Sequence, residues 1–287
     1  MLPVLLREGL GRRRFAREPE PGLVMDDADQ VAAYVEAGRS DGIMAAAYLF
    51  HTARASQVLQ GCRRVLDLGC GPATQLAQIA QCNPEINFVG VDLSREMLDQ
   101  AGRHIRELGL DNVEFRRDDV TRLEGMADGS IDGVISTMAL HHLPSLDHLR
   151  ACFRRVGRLL KAGGAVYIVD FGRLKSLKSV RYFASLNEAQ QPPLFTQDYE
   201  QSMRAAFRAE DFQVLAREAL PAQIQIYRTF IIPMLVILKT PDRPLPVALR
   251  ERFRTMRRAL PARYRRDLDE IRQFLRLGGL ANDPFGQ

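Results

Sequence analysis

Cysteine is sparse in this chain: four in 287 residues, at positions 62, 70, 82 and 152. No two form a CxxC pair, and none has zinc-ligand spacing. A disulfide framework is not expected, so a reducing cytoplasm is the expected location. No cluster of histidines and carboxylates has metal-ligand spacing along the sequence, so no metal is expected. Asp128-Gly129 reads as a turn, and His104 and His148 as surface or core residues of helices. An apolar run long enough to cross a bilayer is also lacking. The longest candidate, 230–238, is strand-length and contains Pro233. The apolar start, 1–6, is too short for a signal core, and arginines follow it rather than precede it. Neither secretion nor a membrane partner is expected. There is no internal repeat and no long low-complexity segment.

The net charge is +5, and the residues after 240 account for it. From position 241 onward stand eleven arginines and six acids, so the remainder is near neutral. A nucleic-acid binder usually carries its basic stripe across the site face. Here the excess lies in an appendage.

The most informative stretch present is Val65-Leu-Asp-Leu-Gly-Cys-Gly-Pro-Ala73. Val65, Leu66 and Leu68 suit a buried strand. Gly69 and Gly71 allow a sharp turn and close approach to a ligand. Pro72 suits the first turn of the helix that follows, where Leu76, Ile79 and Ala80 share a face. A turn of this kind at the carboxyl end of a parallel strand is where open α/β sheets bind nucleotide-like ligands. Phe88-Val-Gly-Val-Asp92 is a second short strand ending in an acid. Asp92 stands 23 residues beyond Gly69, the spacing at which an acid meets ribose hydroxyls. The alternative is that Asp92 caps the helix beginning near Ser94.

With these residues the chain resembles class I S-adenosylmethionine-dependent methyltransferases of the small-molecule type. The resemblance covers about residues 60–240. It rests on Asp67-Leu-Gly-Cys-Gly71, Asp92, Asp119-Val120, the segment 131–144 ending His141-His142-Leu-Pro144, and Lys161-Ala-Gly-Gly164 before a fifth strand. Ala73 replaces a third glycine found in many members. The resemblance implies S-adenosylmethionine as cofactor, with S-adenosylhomocysteine as product. Asp67, Gly69, Cys70 and Gly71 would hold its amino-acid end, and Asp92 and Leu93 its ribose. Asp119 and Val120 would meet adenine, with Met97 on the other side and Thr137 lining the pocket by its backbone. Asp118 is the alternative to Asp119 by a one-residue shift.

The expected fold is α/β: a seven-stranded, mostly parallel sheet with helices on both faces. It carries a helical N-terminal cap, a helical insertion after the fifth strand and a helical C-terminal extension. Residues 1–60 form the N-terminal arm and cap, 61–240 the cofactor-binding domain and 241–287 the extension. The first 24 residues read as a flexible or loosely docked arm. Helices are expected over 26–59, broken near 38–42. Val31, Tyr34 and Val35 share one face, and Met44, Ala47, Tyr48 and His51 another. Strands are expected near 64–68, 87–91, 113–116, 131–136 and 165–170, then 212–219 and 229–239, the last antiparallel by resemblance. The insertion, 174–211, would roof the substrate pocket, with Tyr34, Tyr182 and Asn187 as candidate substrate contacts. In the extension, Leu249, Phe253, Met256 and Leu260, then Leu268, Ile271, Phe274 and Leu275, recur near helical spacing. Those faces should dock on this domain or on a second subunit, which makes a homodimer one expected assembly.

Methyl transfer from a sulfonium is an in-line displacement, and much of its catalysis is positioning. A base is needed only where the acceptor carries a proton. His141 and His142 fall where the acceptor should lie, and Asp170 could orient either. The expected function is therefore methylation of O, N or C on a small organic acceptor in a biosynthetic pathway. One alternative is an RNA-modifying enzyme using the basic tail. The chain lacks an Asn/Asp-Pro-Pro-Tyr/Phe loop and a Pro-Cys or Thr-Cys nucleophile, which disfavours base N6 or cytosine C5 chemistry. The other alternative is a cofactor-binding scaffold without catalysis.

Overall fold

Short runs centred on Val, Ile, Leu and Phe build the frame. In the computed structural model, which describes residues 2–12, 15–22, 31, 36 and 42–286, they form one seven-stranded sheet. The strands are β1 (Arg64–Leu68), β2 (Asn87–Asp92), β3 (Val113–Arg117), β4 (Ile131–Thr137), β5 (Leu160–Phe171), β6 (Gln225–Arg228) and β7 (Leu235–Lys239). Their spatial order is β3-β2-β1-β4-β5-β7-β6. The first five are parallel, with Leu66 facing Val89 on one side and Val134 on the other. β7 runs antiparallel to both neighbours. Strand order reverses beside β1, which opens a crevice at the carboxyl ends of β1 and β4.

Alternation along the strands divides the core. Val65, Phe88, Ile135, Tyr167 and Val169 point to one face. There they meet α2 (Ala45–Leu59), α3 (Thr74–Cys82) and α4 (Arg95–Glu107). Leu66, Val89, Val134, Val166 and Ile168 point to the other. That face is covered by α5 (Leu146–Leu159) and α8 (Ala209–Ala219), through Phe153, Val156, Phe212 and Leu215. The first turns of α4 and α5 are capped by Ser94 and Ser145, whose hydroxyls accept from the main-chain N–H groups of Met97 and His148.

The C-terminal extension forms α9 (Val247–Ala259) and α10 (Ala262–Leu277). Phe253, Tyr264, Leu268 and Leu275 are buried in the same cluster as Leu49 and Phe50 of α2. The apolar faces of the tail therefore dock on this domain. α2 lies between the sheet and the tail, and its alanines allow neighbours on all sides to approach. The insertion after β5 forms α6 (Leu177–Ala184), a 3₁₀ segment (Ser185–Gln190) and α7 (Pro193–Ala205). With Val4 of α1 (Leu2–Leu10), Val180, Phe183 and Met203 make a satellite core over Phe171 and Leu235.

Three expectations are corrected. Residues 212–219 belong to helix α8, not a strand: Phe212, Leu215 and Ala216 are buried while Val214 is 54% exposed, a helical and not an alternating pattern. The strand expected over 229–239 is shorter, and a separate β6 precedes it, with a turn through Thr229 whose hydroxyl donates to the Ile232 carbonyl. The arm is not loosely docked, because Arg17 and Glu20 reach the centre of the molecule.

Candidate active site

The crevice at the carboxyl ends of β1, β2 and β4 is a cavity of about 210 Å³. Gly69, Cys70 and Gly71 line it from the turn after β1, Asp92 and Leu93 from the end of β2, and Met97 from α4. Asp119, Val120 and Thr121 follow β3, and Thr137, Met138, His142 and Leu143 follow β4. The cap contributes Met44, Tyr48 and His51. Every residue expected to hold the cofactor is on this wall except Asp67, which sits behind it.

Both glycines of the turn have positive φ, +68° at Gly69 and +52° at Gly71. Their roles differ. A Cβ on Gly69 would collide with the Cβ of Ala139, in the loop after β4. A Cβ on Gly71 would meet nothing within 4 Å. Gly69 thus lets two loops of the protein pass close together, and only Gly71 leaves space free.

Asp92 ties the turn to the second strand. One oxygen accepts the Gly71 N–H at 2.8 Å and the other the Ser94 N–H at 2.9 Å. A carboxylate has further lone pairs, so these bonds leave capacity for a ligand. Burial pushes the Asp92 carboxyl above its ordinary value, although both N–H bonds oppose the shift. Asp67 is only 2% exposed, and its Oδ1 has no hydrogen-bond partner. Burial, and then the neighbouring Asp92 charge, push its pKa up to about 8. A buried carboxyl oxygen without a donor is costly unless a ligand supplies one.

Asp119 accepts from both the N–H and the hydroxyl of Thr121, at 2.8 and 2.7 Å. Asp118 turns away to pair with Arg116 at 2.9 Å. Between the two acids, the cavity is lined by Asp119.

The two histidines after β4 occupy a 3₁₀ turn (Leu140–His142) and face different ways. His141 is buried. Its Nδ1 lies 2.7 Å from Oδ1 of Asp170, and its main-chain N–H donates to Oδ2 at 3.0 Å. Asp170 is fully buried and also accepts the Phe171 N–H at 2.6 Å. His142 lines the cavity, and its Nδ1 lies 2.5 Å from Oε2 of Glu20. Burial pulls the His142 pKa down, but the Glu20 hydrogen bond and charge outweigh it and the net shift is upward. Burial acts oppositely on Glu20, and the bond and charge of His142 again prevail, holding that carboxyl below its usual range.

Sequence reasoning missed Arg17, Glu20 and a role for His51. Arg17 donates to the carbonyls of Ala205, Pro144, His141 and Leu143, at 2.6, 2.6, 2.8 and 2.5 Å. Its guanidinium also stacks 3.9 Å from the centre of the Phe207 ring. Burial, then the nearby Arg173 charge, lower its pKa to about 10, which leaves it charged at neutral pH. His51 touches the Tyr167 hydroxyl at 2.7 Å. Burial, then the Arg54 charge, lower its pKa to about 3, so it is a neutral wall and not a base. Among the expected substrate contacts, Tyr34 lies outside the described residues. Tyr182 packs edge-on against Phe183 and Asn187 is exposed; neither lines the cavity.

A family model described as a methyltransferase domain matches residues 65–164. Trans-aconitate 2-methyltransferase of Deinococcus radiodurans is 37% identical over 105 residues, 37% of this chain and 36% of that protein. The chain covers 19%, 36% and 27% of three curated relatives, well under two thirds of each. Among solved structures, an S-adenosylmethionine-dependent methyltransferase of Aquifex aeolicus superposes with a TM-score of 0.52 at 16% identity, over 74% of this chain and 97% of that one. The plantazolicin methyltransferase BpumL, solved with S-adenosylhomocysteine, superposes with a TM-score of 0.55 at 16% identity, over 90% of each chain. These two show the fold, and the matched segment contains the glycine turn, Asp92, Asp119 and the histidine pair. Residues 65–164 therefore carry a methyltransferase domain, and the chain has the fold of the class I S-adenosylmethionine-dependent methyltransferases.

Proposed function

We propose that this chain binds S-adenosylmethionine in the cavity and transfers its methyl group to a small organic acceptor in a biosynthetic pathway. The observation that carries this reading is Asp67. Its buried Oδ1 lacks a donor, and an ammonium on an amino-acid tail is the donor it fits. The space at Gly71 accommodates such a tail. Asp92 keeps lone pairs for a vicinal diol, and Asp119 with Val120 stands where a base would lie. When bound, the cofactor supplies an electrophilic methyl group on a positive sulfur.

The protein's part is to hold an acceptor in line and keep water out. Met138, His142, Leu143 and Pro144 form the wall beside Thr137, the side on which an acceptor would enter. His142 is the candidate base. In its neutral form Nδ1–H donates to Glu20, which leaves the lone pair on Nε2 to take a proton. Glu20 fixes that tautomer, and Ser202 of the insertion holds Glu20 by a 2.9 Å hydrogen bond. The insertion therefore reaches the site through Glu20 rather than through Tyr182 or Asn187. The buried faces of α9 and α10 support an extension that completes the domain rather than one that grips nucleic acid.

Titration calorimetry with S-adenosylmethionine and S-adenosylhomocysteine tests the reading, followed by transfer of labelled methyl to a panel of small hydroxy, amino and carboxylic acids. Absence of binding by the wild-type chain would remove the proposal. Binding without transfer to any acceptor, small or nucleic, would leave the scaffold alternative standing.

A further inference from the structure

We propose that Glu20, His141 and His142 form a binding site for one divalent first-row transition-metal ion at the edge of the cavity. One donor atom from each of the three lies within 4.8 Å of the other two. The set is two imidazoles and one carboxylate, which suits zinc, iron or cobalt better than magnesium or calcium. A tetrahedral ion with bonds of about 2.0–2.1 Å needs donors about 3.3 Å apart. The two carboxylate oxygens lie on either side of that value: Oε2 of Glu20 is 2.5 Å from Nδ1 of His142, and Oε1 is 3.9 Å from Nε2 of His141.

The stronger argument is His141. A carboxylate only accepts hydrogen bonds, so Asp170 requires the proton on Nδ1 of His141. Asp170 is itself fixed by the two main-chain N–H groups of His141 and Phe171. That leaves a lone pair on Nε2 of His141. The residue is 2% exposed, and Nε2 has no hydrogen-bond partner. Instead it faces Oε1 of Glu20, another acceptor, at 3.9 Å. Two acceptors facing each other in a buried place repel unless a cation or donor lies between them. A carboxylate behind one ring nitrogen and a free lone pair on the other is the arrangement that orients a metal-binding imidazole. The hydroxyl of Ser202 plays the same part behind Glu20. His142 also lines the cavity, so the ion would border the space where an acceptor enters. The three residues come from an arm and a distant turn, which is why no ligand spacing is visible along the chain.

The site stands on this geometry and not on the proposed function. With an ion bound, His142 is a ligand and not a free base. The test uses the 287-residue chain without a tag, after dialysis against a chelator. Zinc binding is followed by calorimetry, and cobalt binding by its visible absorption, which intensifies when nitrogen and oxygen donors hold the ion in a site of low coordination. One ion per chain is expected. Glu20→Gln and His142→Gln should abolish the cobalt bands, and Asp170→Asn, which removes no ligand but loosens the support of His141 and the main-chain N–H groups beside it, should weaken binding about 10–100-fold. Circular dichroism and a thermal melt show which variants fold. His142→Gln keeps the test decisive if Glu20→Gln does not fold, because His142 is half-buried. Unchanged stoichiometry and bands in a folded His142→Gln variant would overturn the proposal, as would failure of the wild-type chain to retain either ion. In the latter case the gap between His141 and Glu20 is bridged by water or a proton only. Cofactor binding by calorimetry, run beside these titrations, separates loss of the ion from failure of the methyltransferase reading.

Discussion

Arg17 donates from Nη2 to the main-chain carbonyl of His141 at 2.8 Å, across 124 positions of sequence. The same guanidinium bonds Leu143 and Pro144 on that loop and Ala205 at the end of the insertion. One side chain thus sets the position of the histidine turn relative to the insertion. Replacing Arg17 by alanine leaves several half-buried carbonyls without a donor, at an expected cost of roughly 1.5–3 kcal/mol. Lysine should not restore it, because a single ammonium cannot reproduce a planar fork. Urea melts check the cost. Hydrogen exchange should show faster opening of residues 140–145 with the glycine turn after β1 unchanged; unaltered protection of residues 140–145 would remove the clamp role.

Asp92→Ala should weaken S-adenosylhomocysteine binding by about 2–3 kcal/mol, or roughly 30–150-fold. The structure adds a cause beyond lost ligand bonds: Gly71 and Ser94 lose their acceptor, so the turn itself loosens. Asp92→Asn keeps one acceptor oxygen and should lose less. Calorimetry giving equal affinities for wild type and Asp92→Ala would place Asp92 outside the site.

The two glycines of the turn should respond differently. Gly69→Ala meets Ala139 as well as an unfavourable φ, so it should destabilise the fold by about 2–4 kcal/mol. Gly71→Ala carries only the backbone strain, about 1–2 kcal/mol, yet fills space in the cavity. It should fold and bind the cofactor poorly. Thermal melts paired with calorimetry read both effects, and a stable Gly69→Ala chain would contradict the contact.

Binding should release a proton below pH 8. The free chain holds Asp67 as a neutral acid up to its raised pKa of about 8, and pairing with an ammonium ionises it. Affinity should therefore rise between about pH 6 and pH 8. The sign for stability is the reverse. The unfolded carboxyl ionises near pH 4 and the folded one near 8, so this group makes the free chain less stable as pH rises through that window. Asp67→Asn should flatten both dependences. Calorimetry in buffers of different ionisation enthalpy counts the proton; a count of zero at pH 7 would exclude the carboxyl as the ammonium's partner.

Much of the parallel core was readable because β1, β2 and β5 hold compact apolar runs that end at or beside a residue of distinct chemistry, Gly69, Asp92 or Asp170. Helix α8 was not. Phe212, Val214 and Ala216 alternate as in a strand, while Phe212, Leu215, Ala216 and Ala219 recur as in a helix, and a short apolar run does not separate these periods. The distinguishing signal was Asp211, whose carboxylate accepts the Arg208 N–H and closes the first turn. Glu20 and Arg17 were illegible for another reason. Their surroundings, rich in charge and proline, describe a solvated arm, and their partners lie far along the chain. His141 and His142 were adjacent in the sequence and equal in chemistry. Only the direction of the 3₁₀ turn separates the one that meets Asp170 from the one that meets the cavity.

The return of the arm also has a consequence in time. Arg17 leaves the ribosome 124 positions before His141. At about 5–20 residues per second, that is a wait of roughly 6–25 s before its first carbonyl exists. During synthesis the arm has no docking place, and its charges stay in water. The sheet can order strand by strand as it emerges, but the histidine turn is not locked until Phe207 and the end of the insertion have also appeared. Arg17 and Glu20, made well before their partners, are thus among the last residues to find their seats, and the histidine turn is locked only after the parallel strands have formed.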